Sequence, residues 1–161
     1  MAPTDPLTPL RSFDDLRTFL EREGVNLLTV DAAASALEMT THAPPVEGSM
    51  AIRWQPSLQL VQLLHPLPFA VPTERLSAVE HALLVLNDAL VVPGFCIRPD
   101  TRVVYYRLVI PRRADDSIDA ADIQRAIITI VTTLRDFWRP LQRVIDGEPP
   151  DQILRFARET D

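Results

Sequence analysis

The chain has 161 residues, of which 47% are apolar and 24% charged, with 15 prolines and only 4 glycines. This length suits one ordinary domain, and the composition excludes a wholly disordered chain, a collagen-like chain and a small disulfide scaffold. All 16 basic residues are arginines, which excludes lysine chemistry such as a Schiff base or a P-loop lysine. The net charge of −6 argues against a general nucleic-acid-binding protein.

The N-terminal quarter of the chain predicts a tail, one helix and the first strand. Residues 1–11 hold three prolines and no hydrophobic periodicity, which predicts a flexible tail. Ser12 suits the N-cap of an amphipathic helix over about residues 13–23. Residues 25–30 predict a strand, and the Ala-rich segment 31–39 fits either a short helix or a strand with its turn.

Two strands follow the Pro44–Pro45 pair. Met50, Ile52 and Trp54 alternate with small or polar residues, which predicts an amphipathic strand. Residues 58–64 are largely apolar on both alternating sets, so this strand is expected near the middle of a sheet or at an interface. Three prolines are then expected to force an extended crossing: Pro66, Pro68 and Pro72.

The next segment predicts a helix and a hairpin. Thr73 suits the N-cap of a helix over residues 74–90, and its buried stripe would be Leu76, Val79, Leu83, Leu86 and Leu90. Residues 95–97 and 103–110 predict the hairpin. In its second strand, Val104 and its alternate neighbours are expected to face one way, while Val103 and Tyr105 face the other.

The C-terminal segment predicts a long helix and a short one. Asp119 is expected to cap the long helix, which Pro140 should kink or interrupt. A short helix is predicted over residues 151–158. We therefore expect a tail over 1–11, a single domain over 12–146 and a short C-terminal helix within 147–161.

The order of these elements indicates an α+β fold, because strands and helices do not alternate regularly. The simplest arrangement is an antiparallel sheet with helices packed on one face. The start of the chain lacks the basic and apolar regions of a secretory signal, and no apolar run is long enough to span a membrane. With only one cysteine, an intramolecular disulfide is impossible, so we expect a soluble cytoplasmic protein.

No arrangement of residues predicts catalysis or a cofactor. His42, His65 and His81 lie in three separate segments, without the spacing that a metal site requires. Cys96 has no base near it in the sequence, which favours a buried, inert thiol over a nucleophile. The acidic pairs of the chain suit helix starts or solvated loops, and no Gly-rich phosphate loop occurs.

Two polar features of the helices have structural explanations. Asn87 lies on the inward side of an aliphatic helix, where a buried amide needs hydrogen-bond partners, so it is expected to fix the strand after Gly94 rather than to act in catalysis. Arg135, Arg139 and Arg143 are spaced to form a row on the long helix. A solvated face explains this row best, and a surface for an acidic partner is the alternative.

Several segments of the second half carry a family resemblance. They are LLVLNDAL at 83–90, PGF at 93–95, VVYYR at 103–107, Ile110–Pro111 and FWRPL at 137–141. Over residues 74–145 the chain resembles the type III secretion chaperone-like superfamily, and within it the YbjN-type family of bacterial sensory transduction regulators. The resemblance implies a non-enzymatic, chaperone-like α+β domain that is often dimeric and acts by binding another protein.

We therefore expect a protein-binding module, chaperone-like or regulatory, that acts as a homodimer without cofactor, nucleic acid or membrane. Residues that would contact the client, or equally belong to the core, are Trp54, Leu60, Leu63, Val103 and Tyr105. The alternative is a small-ligand-binding domain or an enzyme of unrecognised type, whose polar pocket would use Arg53, Arg107 and Tyr105.

Overall fold

A six-stranded antiparallel sheet forms the centre of the computed structural model, which describes residues 8–44 and 46–159. A separate two-stranded pair joins β1 (Pro9–Leu10) to β8 (Ile118–Asp119). The large sheet has the spatial order β2-β3-β4-β5-β7-β6, with β2 (Leu27–Asp31), β3 (Ala36–Ala43), β4 (Val46–Gln55), β5 (Leu60–Ala70), β6 (Phe95–Ile97) and β7 (Val103–Pro111).

Four helices pack on one face of this sheet, which confirms the α+β fold expected from the sequence. They are α1 (Phe13–Arg22), α2 (Leu76–Ala89), α3 (Ala120–Ile145) and α4 (Ile153–Arg158). The short helix α4 belongs to the same core, because Ile153 and Phe156 are fully buried.

Alternate residues of the central strands face these helices. Met50, Ile52 and Trp54 of β4 are buried, as the alternation of the sequence predicts. The strand register places Ile52 beside Leu63 of β5, and Leu63 beside Leu108 of β7. The apolar core therefore runs continuously across the middle of the sheet.

The first helix begins as the sequence predicts. The Ser12 hydroxyl accepts a hydrogen bond from the Asp15 N–H at 3.1 Å, and the Asp15 carboxylate accepts one from the Ser12 N–H at 3.1 Å. This reciprocal capping box satisfies two backbone donors that a helix start otherwise leaves unpaired. Phe13, Leu16 and Leu20 are buried on the inner side of the helix.

The tail expected over residues 1–11 is corrected at its C-terminal end, and residues 1–7 lie outside the described part of the chain. Pro9 and Leu10 pair with Asp119 and Ile118, and Leu10 is buried. A strand of two residues leaves no periodic pattern in the sequence. Its stability comes instead from the burial of Leu10 and from pairing with a distant segment.

The strand expected over residues 58–64 is longer in the structure, because β5 continues through Pro66 and Pro68 to Ala70. The Gln59 carbonyl accepts a hydrogen bond from the Arg112 N–H at 2.8 Å, so odd-numbered residues of β5 direct their backbone groups toward β7. The nitrogen of Pro66 therefore points to the opposite side. There, pairing with β4 ends at Leu64, so the missing N–H breaks no ladder hydrogen bond.

The start of α2 differs from the sequence expectation, whereas Asp119 occupies the expected N-cap position of α3 and Pro140 does not interrupt that helix. Thr73 opens a 3-10 turn over Thr73–Arg75 instead of capping α2, which begins at Leu76. Asp119 occupies the N-cap position of α3 without a side-chain cap hydrogen bond, because its carboxylate pairs with Arg113. Pro140 is buried within α3, which runs without interruption from Ala120 to Ile145.

Candidate functional site

The side of the sheet opposite the helices carries no other element of the described chain. This surface, the open face, includes outward-facing residues of four strands: Glu38, Ser49, Ala51, Arg53, Leu60, Leu64, Val103, Tyr105 and Arg107. Strand register sets their order, since Glu38 lies beside Ala51, Ala51 beside Leu64, and Leu64 beside Arg107.

A cavity of about 380 Å³ lies in the open face and opens to solvent. Its floor is apolar and includes Ala51, Leu64 and Val103, each of them half-buried by its neighbours. Exposed Arg53 lines it from β4, and exposed Arg98 lines it from the connection between β6 and β7. The cavity is thus an apolar depression with charged groups at its rim.

Three of the five contact residues expected from the sequence lie on the open face. Val103 and Tyr105 line the cavity, and half-buried Leu60 lies on the same side of β5. The structure places the other two, Trp54 and Leu63, in the core, where they are 4% and 0% exposed. The sequence of β5 is apolar on both sides, so it does not reveal which alternating set faces the helices.

The guanidinium groups of the open face are unpaired. Within residues 8–44 and 46–159, those of Arg53, Arg98 and Arg107 make neither a hydrogen bond nor an ion pair. The acid that lines the cavity is Glu38, whose carboxylate accepts a hydrogen bond from the Ser49 hydroxyl at 2.9 Å. Sequence reasoning placed Arg53 and Arg107 in a possible polar pocket but missed Arg98, because Arg98 reaches the cavity from a turn.

Burial and neighbouring groups shift the pKa of Tyr105. Burial raises the pKa of its phenol, and the neighbouring Cys96 raises it further, while the guanidinium groups of Arg107 and Arg98 lower it. The phenol therefore stays protonated near neutral pH and can donate a hydrogen bond into the cavity. Cys96 itself is half-buried on β6, in register with Tyr105.

The histidines remain apart in the fold. His65 is buried and hydrogen-bonded to the Thr41 hydroxyl at 2.7 Å, whereas exposed His81 pairs with Asp151 at 2.6 Å. His42 is exposed on β3. In the described residues, no group of three His, Cys, Asp or Glu side chains is arranged to hold a metal ion.

Asn87 bonds to the strand that follows Gly94. Its amide nitrogen donates to the Phe95 carbonyl at 2.8 Å, and its amide oxygen accepts from the N–H groups of Gly94 and Phe95 at 3.1 and 3.0 Å. These bonds replace strand pairing at an edge of the sheet. Asn87 therefore anchors β6 to α2.

The arginine row of α3 is divided among several partners. Arg135 pairs with Asp136, while Arg143 pairs with Glu148 and Glu159 and lies 3.7 Å from the centre of the Phe156 ring. Exposed Arg139 has no such partner in the described chain. Since two of the three charges are compensated, the row is not a continuous cationic surface.

Across 8–44 and 46–159, no helix combines the length and the apolar character needed to cross a bilayer. No family model, no curated protein and no solved structure matches this chain.

Proposed function

We propose that the protein is a non-enzymatic protein-binding module, chaperone-like or regulatory, that acts as a homodimer in the cytoplasm. The observation that carries this proposal is the open face, where Ala51, Leu64 and Val103 form an apolar floor over which no described element packs. The depression above this floor can accept an apolar side chain of a partner.

A polypeptide suits this surface better than a small molecule does. Small-molecule sites enclose most of their ligand, and the cavity here opens to solvent along a rim that includes exposed Arg53 and Thr101. An extended segment can lie across an open sheet face and place alternate side chains in such a depression. The open face therefore provides a docking surface for a client.

The second copy in the proposed homodimer is best placed at the β2 edge. Leu28 and Val30 are 55% and 40% exposed on this edge strand, which has no proline and carries an irregularity in its pairing between Leu27 and Thr29. Antiparallel pairing of two copies centred on Thr29 would place Thr29 beside Thr29 and Leu28 beside Val30, without opposing like charges. The other edge, β6, has only three residues.

Client binding is tested by affinity purification of the full chain and mass spectrometry of what it retains. The double variant Leu64→Ser/Val103→Thr removes apolar surface from the open face. The matched control is Leu84→Ser, because Leu84 is 68% exposed on α2. We expect a polypeptide that the wild type and the control retain and the double variant loses.

Retention of a small metabolite, with no polypeptide lost in the double variant, would overturn this proposal. It would favour the second function, a small-ligand-binding domain or an enzyme. The observation that supports the second function is that Arg53 and Tyr105 line the same cavity. Arg107, also expected in such a pocket, lies outside its lining.

The homodimer is tested by sedimentation equilibrium at micromolar concentration. We expect a dimer for the wild type, a monomer for Leu28→Lys and a dimer for the control Leu58→Lys, since Leu58 is exposed in the turn before β5. A monomeric wild type would exclude the homodimer. A dimer that survives Leu28→Lys would exclude the β2 edge as its interface.

A further inference from the structure

The residues of the open face indicate which kind of client segment would bind there, if the protein has the proposed function. We propose that the bound client segment is acidic: its carboxylates bind Arg53 and Arg98, and an apolar side chain between them enters the cavity. The evidence is the combination of unpaired guanidinium groups with an apolar floor in one depression.

Three arginines without an acidic partner in the described chain lie together on the open face. Acids outnumber arginines by 22 to 16, and many exposed arginines have an acidic neighbour. Examples on other surfaces are Arg11 with Asp115, Arg17 with Asp14 and Arg155 with Glu159. Arg53, Arg98 and Arg107 share the open face and have no such neighbour in the described chain. A local excess of positive charge therefore persists within an acidic protein.

The arrangement of these groups suits an extended peptide. Arg53 and Arg98 reach the cavity from β4 and from the β6–β7 connection, while Leu64 and Val103 form the floor. In an extended segment every second side chain points to the same side, so alternate residues can supply a carboxylate, an apolar group and a second carboxylate. Arginine binds carboxylates through paired, charge-assisted hydrogen bonds.

Glu38 and Arg107 give the two ends of one cross-strand row opposite charges. They lie at opposite ends of the row that crosses Ala51 and Leu64. A client carboxylate is repelled by Glu38 and attracted by Arg107. Client carboxylates are therefore favoured on the β7 side of the row over the Glu38 side.

Nucleic acid fits this surface less well. Nucleic-acid-binding domains spread many basic residues over a wide surface, because each phosphate contact adds affinity. Here two arginines, Arg53 and Arg98, line an apolar floor in a chain of net charge −6. An isolated carboxylate metabolite would use the arginines and leave the floor unoccupied.

The proposal is tested by fluorescence anisotropy on the full chain. The probe is a fluorescein-labelled peptide with a repeating Asp-Ser-Leu-Ser pattern, and the matched probe has Asn in place of Asp. We expect the Asp peptide to bind about tenfold more tightly than the Asn peptide. The variant Arg53→Gln/Arg98→Gln should weaken binding of the Asp peptide about tenfold and reduce its salt dependence. Arg139→Gln, an unpaired arginine on α3, should leave it unchanged.

The outcomes separate this inference from the proposed function. Equal binding of both peptides, or no binding of either, overturns the acidic client. In that case loss of a retained polypeptide in Leu64→Ser/Val103→Thr would still support protein binding. Competition by a DNA duplex or by citrate, without competition by an unlabelled Asp peptide, would also overturn the acidic client. Circular dichroism and thermal melting establish that each variant is folded.

Discussion

Gly94 lies directly against the ring of Tyr106. A Cβ atom at position 94 would lie 2.8 Å from Tyr106 Cζ and 2.5 Å from the Arg107 carbonyl oxygen. Neither neighbour can move easily, since Tyr106 is fully buried and its hydroxyl donates to the Val92 carbonyl. The Gly94 carbonyl in turn accepts from the Arg107 N–H at 2.8 Å. Only glycine permits this approach of the two backbone segments.

Gly94→Ala should therefore destabilise the fold by about 1–3 kcal/mol, because the added methyl group would overpack against Tyr106 and the Arg107 carbonyl. The measurement is the free energy of unfolding in urea, followed by tryptophan fluorescence. Gly48→Ala is the matched control, because a Cβ there would be 3.4 Å from His65 Cε1, close to an ordinary contact. Equal effects of the two substitutions would contradict the steric explanation.

Asn87→Ala should cost about 2 kcal/mol of stability, because it leaves the backbone groups of Phe95 without their amide partner. Hydrogen exchange at the Phe95 amide should accelerate in the variant. Asp88→Ala, at an exposed position of the same helix, serves as the control. Unchanged exchange at Phe95 would show that β6 does not depend on Asn87.

His65 should make stability depend on pH between about 7.5 and 5.5. Burial lowers the pKa of its imidazole, and the smaller opposing effect is the hydrogen bond to the Pro66 carbonyl, to which Nδ1–H donates at 2.8 Å. In the unfolded chain a histidine binds a proton near pH 6.5, whereas the folded protein resists protonation until lower pH. The stability contribution of His65 is therefore complete above about pH 6.5 and is lost as the pH falls toward the folded pKa.

Urea unfolding at both ends of this pH range measures the effect. His65→Gln should reduce the loss of stability on acidification, because the substituted side chain does not titrate. Asp115 and Glu159 also have lowered pKa values, but carboxylates begin to titrate near pH 4, which is below this range. An identical pH dependence in wild type and variant would contradict the assignment.

Arg75→Met should destabilise the fold by about 1–2 kcal/mol. The Arg75 side chain donates from Nε and Nη2 to the Val144 carbonyl at 3.2 and 2.5 Å, joining the start of α2 to the end of α3. Methionine preserves much of the apolar stem and removes both donors. The comparison by thermal melting is with Glu74→Gln, at the exposed neighbouring position. A Tm equal to that of the control would show that the two helices do not need this link.

Elements with a strong periodic pattern could be predicted from the sequence. The buried side of β4, the stripe of α2 and the hairpin of β6 and β7 follow from alternation or helical spacing, because each has one apolar side. In contrast, β1 and β8 contain two residues each, and such short segments have no period. Their pairing depends on positions far apart in the chain.

The effect of a proline in a strand depends on the tertiary arrangement around it. Strand propensity treats the missing N–H of proline as a cost. That cost arises only where the N–H would have had a hydrogen-bond partner on a neighbouring strand. At Pro66 the nitrogen points away from β7, beyond the end of the ladder with β4. The open face shows a similar dependence on context: Trp54 and Val103 are both apolar strand residues, and only the tertiary arrangement decides which one faces the core.

The pairing of Leu10 with Ile118 has a consequence for the order of folding. These residues are about 110 positions apart in the chain, so the loop that they close is among the longest in the fold. The meander from β2 to β5 can form from neighbouring segments, whereas β1 has no partner until β8 and the start of α3 are in place. During synthesis the N-terminal strand must therefore wait for most of the domain. We therefore expect β1 to pair with β8 late in folding, after most of the domain has formed.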